Sequence, residues 1–180
     1  VDWAQVRAAL AAYDAGVLAS AGALTLGSYL LYSGYDLGAR RYTRHPLATP
    51  RVMATSMVCY AFSLNVGALV GGAGLRYRLY SHAGLGMGTI SRIVAFTVST
   101  NWLGYLLLGG ALFASGRVKP PPQWGLQLGL LPWIGTAMLA TAALYLVACR
   151  RAHGRVFHVR GHHFPLPSLP LGLLQLGLAA

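Results

Sequence analysis

Residues 65–92, NVGALVGGAGLRYRLYSHAGLGMGTISR, are the segment around which we interpret the chain. Seven glycines, three arginines, two tyrosines and one histidine lie here between two long apolar runs, and no acidic residue is present. Glycine lets the backbone bend and approach a ligand closely, and arginine offers a planar fork that matches phosphate oxygens. The segment therefore predicts a site for an anionic headgroup. A basic loop that only anchors membrane helices is the alternative, and the sequence leaves both open.

The composition is that of an integral membrane protein. Hydrophobic residues make up 56% of the 180 residues and charged residues only 9%, whereas roughly 25% of a soluble domain is charged. Several apolar runs reach about 20 residues, the length of a membrane-spanning helix. We expect an all-α, polytopic helical protein with about 3–4 transmembrane helices, in one membrane domain over residues 1–180. Because the last apolar run stops in mid-segment, we also expect an internal fragment of a longer chain.

Acidic residues are almost absent, which excludes several kinds of chemistry. Asp2, Asp14 and Asp36 are the three carboxylates, and none follows residue 36. The sequence therefore lacks the residues needed for paired-carboxylate hydrolysis, two-metal phosphoryl transfer or a carboxylate proton relay. Four histidines between residues 153 and 163 lie among arginines without the ligand partners of a zinc site. We expect no catalytic residue, no metal, no cofactor and no enzymatic activity.

The net charge of +11 favours a membrane partner over nucleic acid. The arginines lie at the ends of apolar runs, where anionic lipid and membrane orientation account for them. The glycine clusters VGGAG and GLGMG lack the downstream acid of a dinucleotide site. Cys59 and Cys149 fall inside apolar runs and are expected to be small apolar fillers.

Four apolar runs cover residues 16–35, 52–71, 93–113 and 126–149. Tyr29, Tyr32 and Tyr35 near the end of the first run predict an aromatic belt at a membrane interface. Asp36 follows, and we expect it to pair with Arg40 one turn later.

The N-terminus predicts an amphipathic helix that lies in the membrane interface. Asp2 is a typical residue for a helix start. Apolar and aromatic side chains then share one face at helical spacing. These are Trp3, Val6, Leu10 and Tyr13.

Charge asymmetry favours a re-entrant hairpin over residues 52–71. If all four runs crossed the bilayer, basic residues would divide almost evenly between its two sides. If residues 52–71 instead enter and return, eleven of the fourteen basic residues lie on the cytoplasmic side. Polar residues and glycines in that run also suit backbone that lines a cavity. We therefore predict the re-entrant arrangement.

The candidate site residues form two groups. Headgroup phosphate is expected to contact Arg76, Arg78, Arg92 and Tyr80. The backbone bend and cavity wall are expected to use Gly71, Gly72, Gly74, Asn65, Asn101 and Trp102. The two asparagines need a partner inside apolar runs, so interhelical hydrogen bonding is the alternative to cavity lining.

Several stretches resemble a known family. SYLLYSGYDLGARRY, CYAFSLNVGALVGGAGLRYRLYS and SRIVAFTVSTNWLGYLLLGG, with VDW near the start, are similar to YbhN-type bacterial inner-membrane proteins. These belong to the lysylphosphatidylglycerol synthase transmembrane family, which is flippase-like and includes MprF-like proteins. The likeness is close over residues 1–116 and looser beyond them. This chain is shorter than the family pattern, so we expect a leading span and several trailing spans to be missing.

The resemblance implies a helical bundle with re-entrant segments that moves or handles phospholipid in the bacterial inner (plasma) membrane. The family's Gly-rich, Arg-bearing motif falls on Gly71, Gly72, Gly74, Arg76, Arg78 and Tyr80, followed by Arg92. In MprF-like relatives a separate soluble aminoacyl-transferase domain carries the catalysis, and no part of this chain resembles it.

Two hypotheses follow for the function. The first is a flippase-like protein that binds anionic phospholipid through the Arg/Gly-rich segment. The second is a non-transporting scaffold that recruits partners through basic cytoplasmic loops. The expected partners are anionic phospholipids and not nucleic acid, and a homodimer is left open.

Overall fold

The computed structural model describes residues 2–117, 128–151, 156–159 and 162–179. The helices are α1 (Trp3–Ala11), α2 (Ala15–Thr43), α3 (Thr49–Val66), a π-helical segment (Ala68–Gly74), α4 (Leu75–His82), α5 (Met87–Ala114), a 3-10 turn (Leu128–Leu130), α6 (Leu131–Arg151) and α7 (Leu169–Ala179). Strands β1 (Val156–Val159) and β2 (His162–Pro165) pair antiparallel. The polytopic helical bundle is confirmed, and this short two-stranded sheet is an addition that the sequence did not predict.

Three described helices are long and apolar enough to cross a membrane. They are α2, α5 and α6, with 29, 28 and 21 residues, and about 20 residues suffice to span the hydrocarbon core. They contain the predicted runs 16–35 and 93–113 and, of the run 126–149, residues 131–149. Helix α2 continues eight residues past the predicted end at residue 35, and Arg40 and Arg41 in its last turn complement the helix dipole.

Helix α1 begins where the sequence predicts. The Asp2 side chain accepts hydrogen bonds from the backbone N–H groups of Ala4 and Gln5. The whole helix is exposed, including its aromatic and aliphatic side chains. An interfacial location in the membrane stays a prediction.

Helix α3 runs antiparallel to α2, and the chain reverses direction after it. Ser28 and Tyr60 share a hydrogen bond of 2.8 Å, and Arg40 donates to Thr49 Oγ1 at 2.7 Å near the other end of the pair. At Gly67, whose φ of 99° favours glycine, the chain reverses, and the π-helical segment and α4 return along α3.

The hairpin formed by residues 49–82 enters and leaves at the same end of the bundle. Thr49 lies beside the end of α2, and Leu85, just after α4, packs on a core cluster that includes Ala39 of α2. This is the arrangement that the re-entrant prediction requires. The predicted bounds, 52–71, were too narrow, because they cover most of the first arm and only the start of the returning one.

The returning arm lies close against the first arm at Gly71. A Cβ atom on Gly71 would stand 2.3 Å from the carbonyl of Phe62, so no larger residue fits without moving backbone. Helices α5 and α6 pack equally closely, since a Cβ on Gly135 would stand 2.3 Å from the backbone nitrogen of Ala114. Helix α7 packs against α2, α5 and α6. Small residues therefore set the distances between the elements.

The change Gly71→Ala should destabilise the hairpin. The added methyl group forces the two arms apart, and overpacking of this kind costs about 1–3 kcal/mol. Thermal unfolding of the detergent-purified protein, followed by loss of the monodisperse species, measures the effect.

Gly88→Ala is the matched control, because a Cβ at Gly88 meets nothing within 4 Å. A Gly71→Ala protein as stable as the Gly88→Ala protein would contradict the close approach of the two arms.

Candidate functional site

A buried ion pair joins α2 to α4. Arg76 Nε donates to Asp36 Oδ1 at 3.1 Å, and Arg76 Nη2 donates to Asp36 Oδ2 at 2.7 Å. The Arg76 side chain is 3% exposed and the Asp36 side chain 0%. Two parallel hydrogen bonds between a guanidinium and a carboxylate form the strongest type of ion pair.

This pairing corrects the prediction that Asp36 binds Arg40. Arg40 instead donates to Thr49 Oγ1 at 2.7 Å, at the start of α3. Asp36 lies on the buried face of α2, where the returning arm of the hairpin brings Arg76 to it. A partner from a distant segment thus replaces the local partner one turn away.

Neighbouring groups complete the surroundings of the pair. Tyr80 Oη donates to Asp36 Oδ1 at 3.3 Å, and Arg76 Nη1 donates to the Gly72 carbonyl at 3.0 Å. The Tyr32 ring lies 5.5 Å from the guanidinium carbon, within the range of a cation–π contact. The charges are therefore both paired and hydrogen-bonded, as buried charges must be.

Arg76 forms part of the wall of a cavity of about 430 Å³ between α2, α3, the π-helical segment and α5. Three of its lining residues, Leu64, Trp102 and Tyr105, are each more than half exposed, so the cavity opens at the side of the bundle. The lining residues with polar side-chain atoms are Tyr32, Tyr60, Ser63, Arg76, Thr97, Asn101, Trp102 and Tyr105. A volume of this size is typical of a small-molecule or headgroup site.

The structure separates the predicted phosphate contacts. Arg76 lines the cavity, but Arg78 is exposed on another face of α4. Arg92 donates to the Gly88 carbonyl and to Thr89 Oγ1 within its own helix. Tyr80 is fully buried and bonds to Asp36 rather than lining the cavity. Residues two apart on a helix point in different directions, so Arg76 and Arg78 cannot face one site.

Of the residues predicted to form the backbone bend and the cavity wall, some line the cavity and others lie elsewhere. Gly72, Asn101 and Trp102 line the cavity, and Gly71 is buried beside α3. Asn65 is exposed and donates to the Ala61 carbonyl of its own helix at 2.7 Å. This bond lies within α3, and Asn65 is not among the residues that line the cavity. Neither role that the sequence suggested for Asn65, interhelical hydrogen bonding or cavity lining, is therefore observed. Gly74 is exposed.

Sequence reasoning missed the aromatic wall and the carboxylate. Tyr32 of α2 and Tyr60 of α3 stack with ring centroids 4.1 Å apart, and Tyr35 of α2 is buried. Tyr32 and Tyr35 therefore pack inside the bundle rather than forming only an interfacial belt. Asp36 could have been found, since no other acid adjoins an apolar run on its C-terminal side. A lone carboxylate there requires a cation from elsewhere in the chain.

The two cysteines lie in the kind of environment that the sequence predicts. Cys59 and Cys149 are free and buried, as apolar fillers are. The described residues contain no group of histidine, cysteine and carboxylate side chains that could hold a metal ion.

Removing one partner of the ion pair should destabilise the protein strongly. Asp36→Asn leaves Arg76 buried without its counter-charge, and breaking a buried pair in this way costs about 3–5 kcal/mol. The double change Asp36→Asn/Arg76→Gln should cost less than the sum of the two single changes, because neither charge then remains alone.

Chemical or thermal unfolding of the four proteins in detergent measures this coupling. Arg78→Gln, at an exposed arginine two residues away, is the control and should leave stability nearly unchanged. Single variants as stable as this control, or strictly additive effects, would show that the pair is not formed.

Two curated proteins are similar to the chain along nearly its whole length, and no family model matches it. The inner membrane protein YbhN of Escherichia coli K12 is 43% identical over 176 residues, which cover 98% of this chain and 55% of YbhN. An uncharacterized protein of Synechocystis is 30% identical over 179 residues, with 99% and 55% covered. The chain thus spans about half the length of the curated relatives it matches. The likeness to YbhN and the three described helices able to cross a membrane support a multi-pass protein of the inner membrane that is similar to YbhN.

Proposed function

We propose that this chain is part of a membrane protein that binds and translocates phospholipid, with the headgroup phosphate in the cavity beside Arg76. The observation that carries the proposal is a buried guanidinium in the wall of a cavity that opens at the side of the bundle. An ionisable residue inside a membrane protein is costly and is a candidate functional group for that reason.

Arg76 keeps capacity for a ligand after its contacts within the protein. A guanidinium has five N–H donors, and hydrogen bonds to Asp36 and Gly72 account for three of them. The remaining donors, on Nη1 and Nη2, can bind phosphate oxygens. Asn101 and the hydroxyl groups of Tyr32 and Tyr60 line the same cavity and offer further donors.

Asp36 limits how tightly an anion can be held. An unpaired arginine in a low-dielectric cavity would bind phosphate strongly and release it slowly. Because the carboxylate already satisfies most of the charge, a phosphate must share the guanidinium or compete for it. A transport site needs binding of this moderate kind, since the lipid must also leave.

The open side of the cavity suits a ligand whose tail remains in the bilayer. Trp102 and Leu64 are 62% and 65% exposed and border the opening with apolar surface. A headgroup can therefore enter between α3 and α5 while its acyl chains stay outside. Because residues 37–180 contain no acidic side chain, we also propose that the protein carries out no chemical conversion. We also propose that it belongs to the lysylphosphatidylglycerol synthase transmembrane family and that anionic phospholipids are its partners.

Lipid movement in proteoliposomes tests the proposal. Asn101→Leu removes a polar wall residue without touching the ion pair, so it should slow the translocation of a fluorescent anionic phospholipid about tenfold, the equivalent of roughly 1.4 kcal/mol. Chemical quenching of the probe in the outer leaflet gives the rate.

Asn65→Leu is the matched control, because Asn65 is exposed on α3 and lies outside the cavity. Its rate should equal that of the unmodified protein. If the unmodified protein moves lipid no faster than protein-free vesicles do, or if both asparagine variants behave alike, the proposal fails.

The scaffold hypothesis has one observation in its favour. Several arginines near the shared end of α2, α3 and α4 are exposed, namely Arg41, Arg44, Arg51 and Arg78. A basic surface of this kind could recruit an acidic partner. The translocation experiment separates the two, since a scaffold leaves lipid movement at the protein-free rate.

A further inference from the structure

A second pocket lies at the end of α2, away from the cavity beside Arg76. It has a volume of about 350 Å³ and is lined by Leu37, Arg40, Arg41, Arg44, His45 and Thr49. Three guanidinium groups and one imidazole share this space, and no carboxylate is among the lining residues. Asp36, the nearest acid in sequence, is fully buried and engaged by Arg76. The pocket is therefore strongly positive.

His45 is the feature of this pocket that the fold alone does not explain. It is 6% exposed, and neither ring nitrogen has a hydrogen-bond partner among the described residues. A buried polar group without a partner costs about 1–3 kcal/mol, and such groups point to an occupant or a function. The Tyr80 ring, 6.1 Å away centre to centre, offers no hydrogen bond to either nitrogen.

Its environment favours the neutral form of the His45 imidazole, which can donate one hydrogen bond to an anion. Burial lowers the pKa of His45 below its ordinary value, the charge of Arg40 lowers it further, and Asp36 acts weakly in the opposite direction. A neutral ring has one N–H donor. An anion in the pocket would accept from that donor and would favour the protonated ring, which has two.

The start of α3 adds a backbone donor at the same place. Thr49 is the first residue of this 18-residue helix, and its N-cap, Ala48, makes no side-chain capping hydrogen bond. Pro50, the second helical residue, has no N–H group, and the Arg51 N–H donates to the Ala48 carbonyl at 3.1 Å. The donor that this helix start offers is therefore the Thr49 N–H, together with the partial positive charge of the helix end. A helix start beside arginines is a common setting for phosphate binding.

We propose that this pocket binds a phosphate group, held by Arg41 and Arg44 with His45 and the start of α3. Retention of arginines on the cytoplasmic side by the positive-inside rule explains two exposed arginines. It does not explain a buried histidine that lines the same pocket with two unpartnered nitrogens. The phosphate belongs either to a lipid headgroup in the adjacent leaflet or to a soluble phosphate compound. This site shares no lining residue with the cavity beside Arg76 and does not depend on lipid translocation.

Binding of inorganic phosphate to the purified protein in phosphatidylcholine nanodiscs tests the proposal, with the phosphorus NMR line width as the readout. Arg41→Ala/Arg44→Ala should weaken binding about tenfold to a hundredfold, the loss expected from one or two hydrogen bonds to a charged group. Arg78→Ala removes an exposed arginine that does not line the pocket and should leave the affinity unchanged.

His45→Phe separates binding from packing. The phenyl ring fills the same space without polar atoms, so stability should be kept or increased while phosphate affinity falls. Unchanged affinity in His45→Phe or in Arg41→Ala/Arg44→Ala, or no phosphate binding by the unmodified protein in phosphatidylcholine, overturns the proposal.

Nanodiscs that also contain phosphatidic acid identify the source of the phosphate. If the lipid occupies the pocket, inorganic phosphate binds more weakly in these discs, and this competition disappears in Arg41→Ala/Arg44→Ala. If the physiological ligand is soluble, the affinity for inorganic phosphate is the same in both kinds of disc. Each result supports the phosphate site and assigns its ligand.

Discussion

The ion pair between Asp36 and Arg76 is the constraint on which the rest of the structure depends. It connects α2 to the returning arm of the hairpin with two hydrogen bonds and fixes how far that arm can move. Neither charge can stay in the interior alone, because desolvation of an isolated ion costs several kcal/mol. The pair therefore holds the π-helical segment and α4 against the bundle, and with them one wall of the cavity.

Close backbone packing makes this geometry possible. Arg76 reaches Asp36 because Gly71 and Gly72 let the returning arm lie directly on α3, beside Phe62 and Ser63. A side chain at Gly71 would push the arm outward and carry the guanidinium with it. The π-helical segment, a conformation often found at functional sites, lies at this contact. The glycines thus allow the returning arm to lie close to α3, and the ion pair attaches the same arm to α2.

The sequence predicted the fold better than the site. Long apolar runs identified the spans because length and hydropathy are local properties, and the distribution of arginines indicated that the chain returns to the same side near residues 52–71. The site depends on side-chain direction, which composition does not contain. Arg76 and Arg78 are two residues apart and looked like one cluster, yet successive helix positions point in different directions, so one faces inward and the other is exposed.

The ion-pair partner of Asp36 shows the same limit of prediction from sequence. Arg40 was the local choice for Asp36, but the actual partner lies forty residues away in sequence, where only the hairpin brings the two together. The asparagines were equivalent as sequence features, whereas the structure places Asn101 in the cavity wall and Asn65 outside it. The unpartnered imidazole of His45 also becomes visible only when neighbouring elements bury it.

Photo-crosslinking tests most directly whether a lipid headgroup occupies the cavity. A phospholipid with a photoreactive group on its headgroup is reconstituted with the protein and irradiated, and mass spectrometry locates the adducts. The account predicts adducts on cavity residues from separate helices, such as Tyr60 and Asn101. Adducts confined to outward-facing apolar side chains such as Leu26 and Leu108, with none in the cavity, would contradict it.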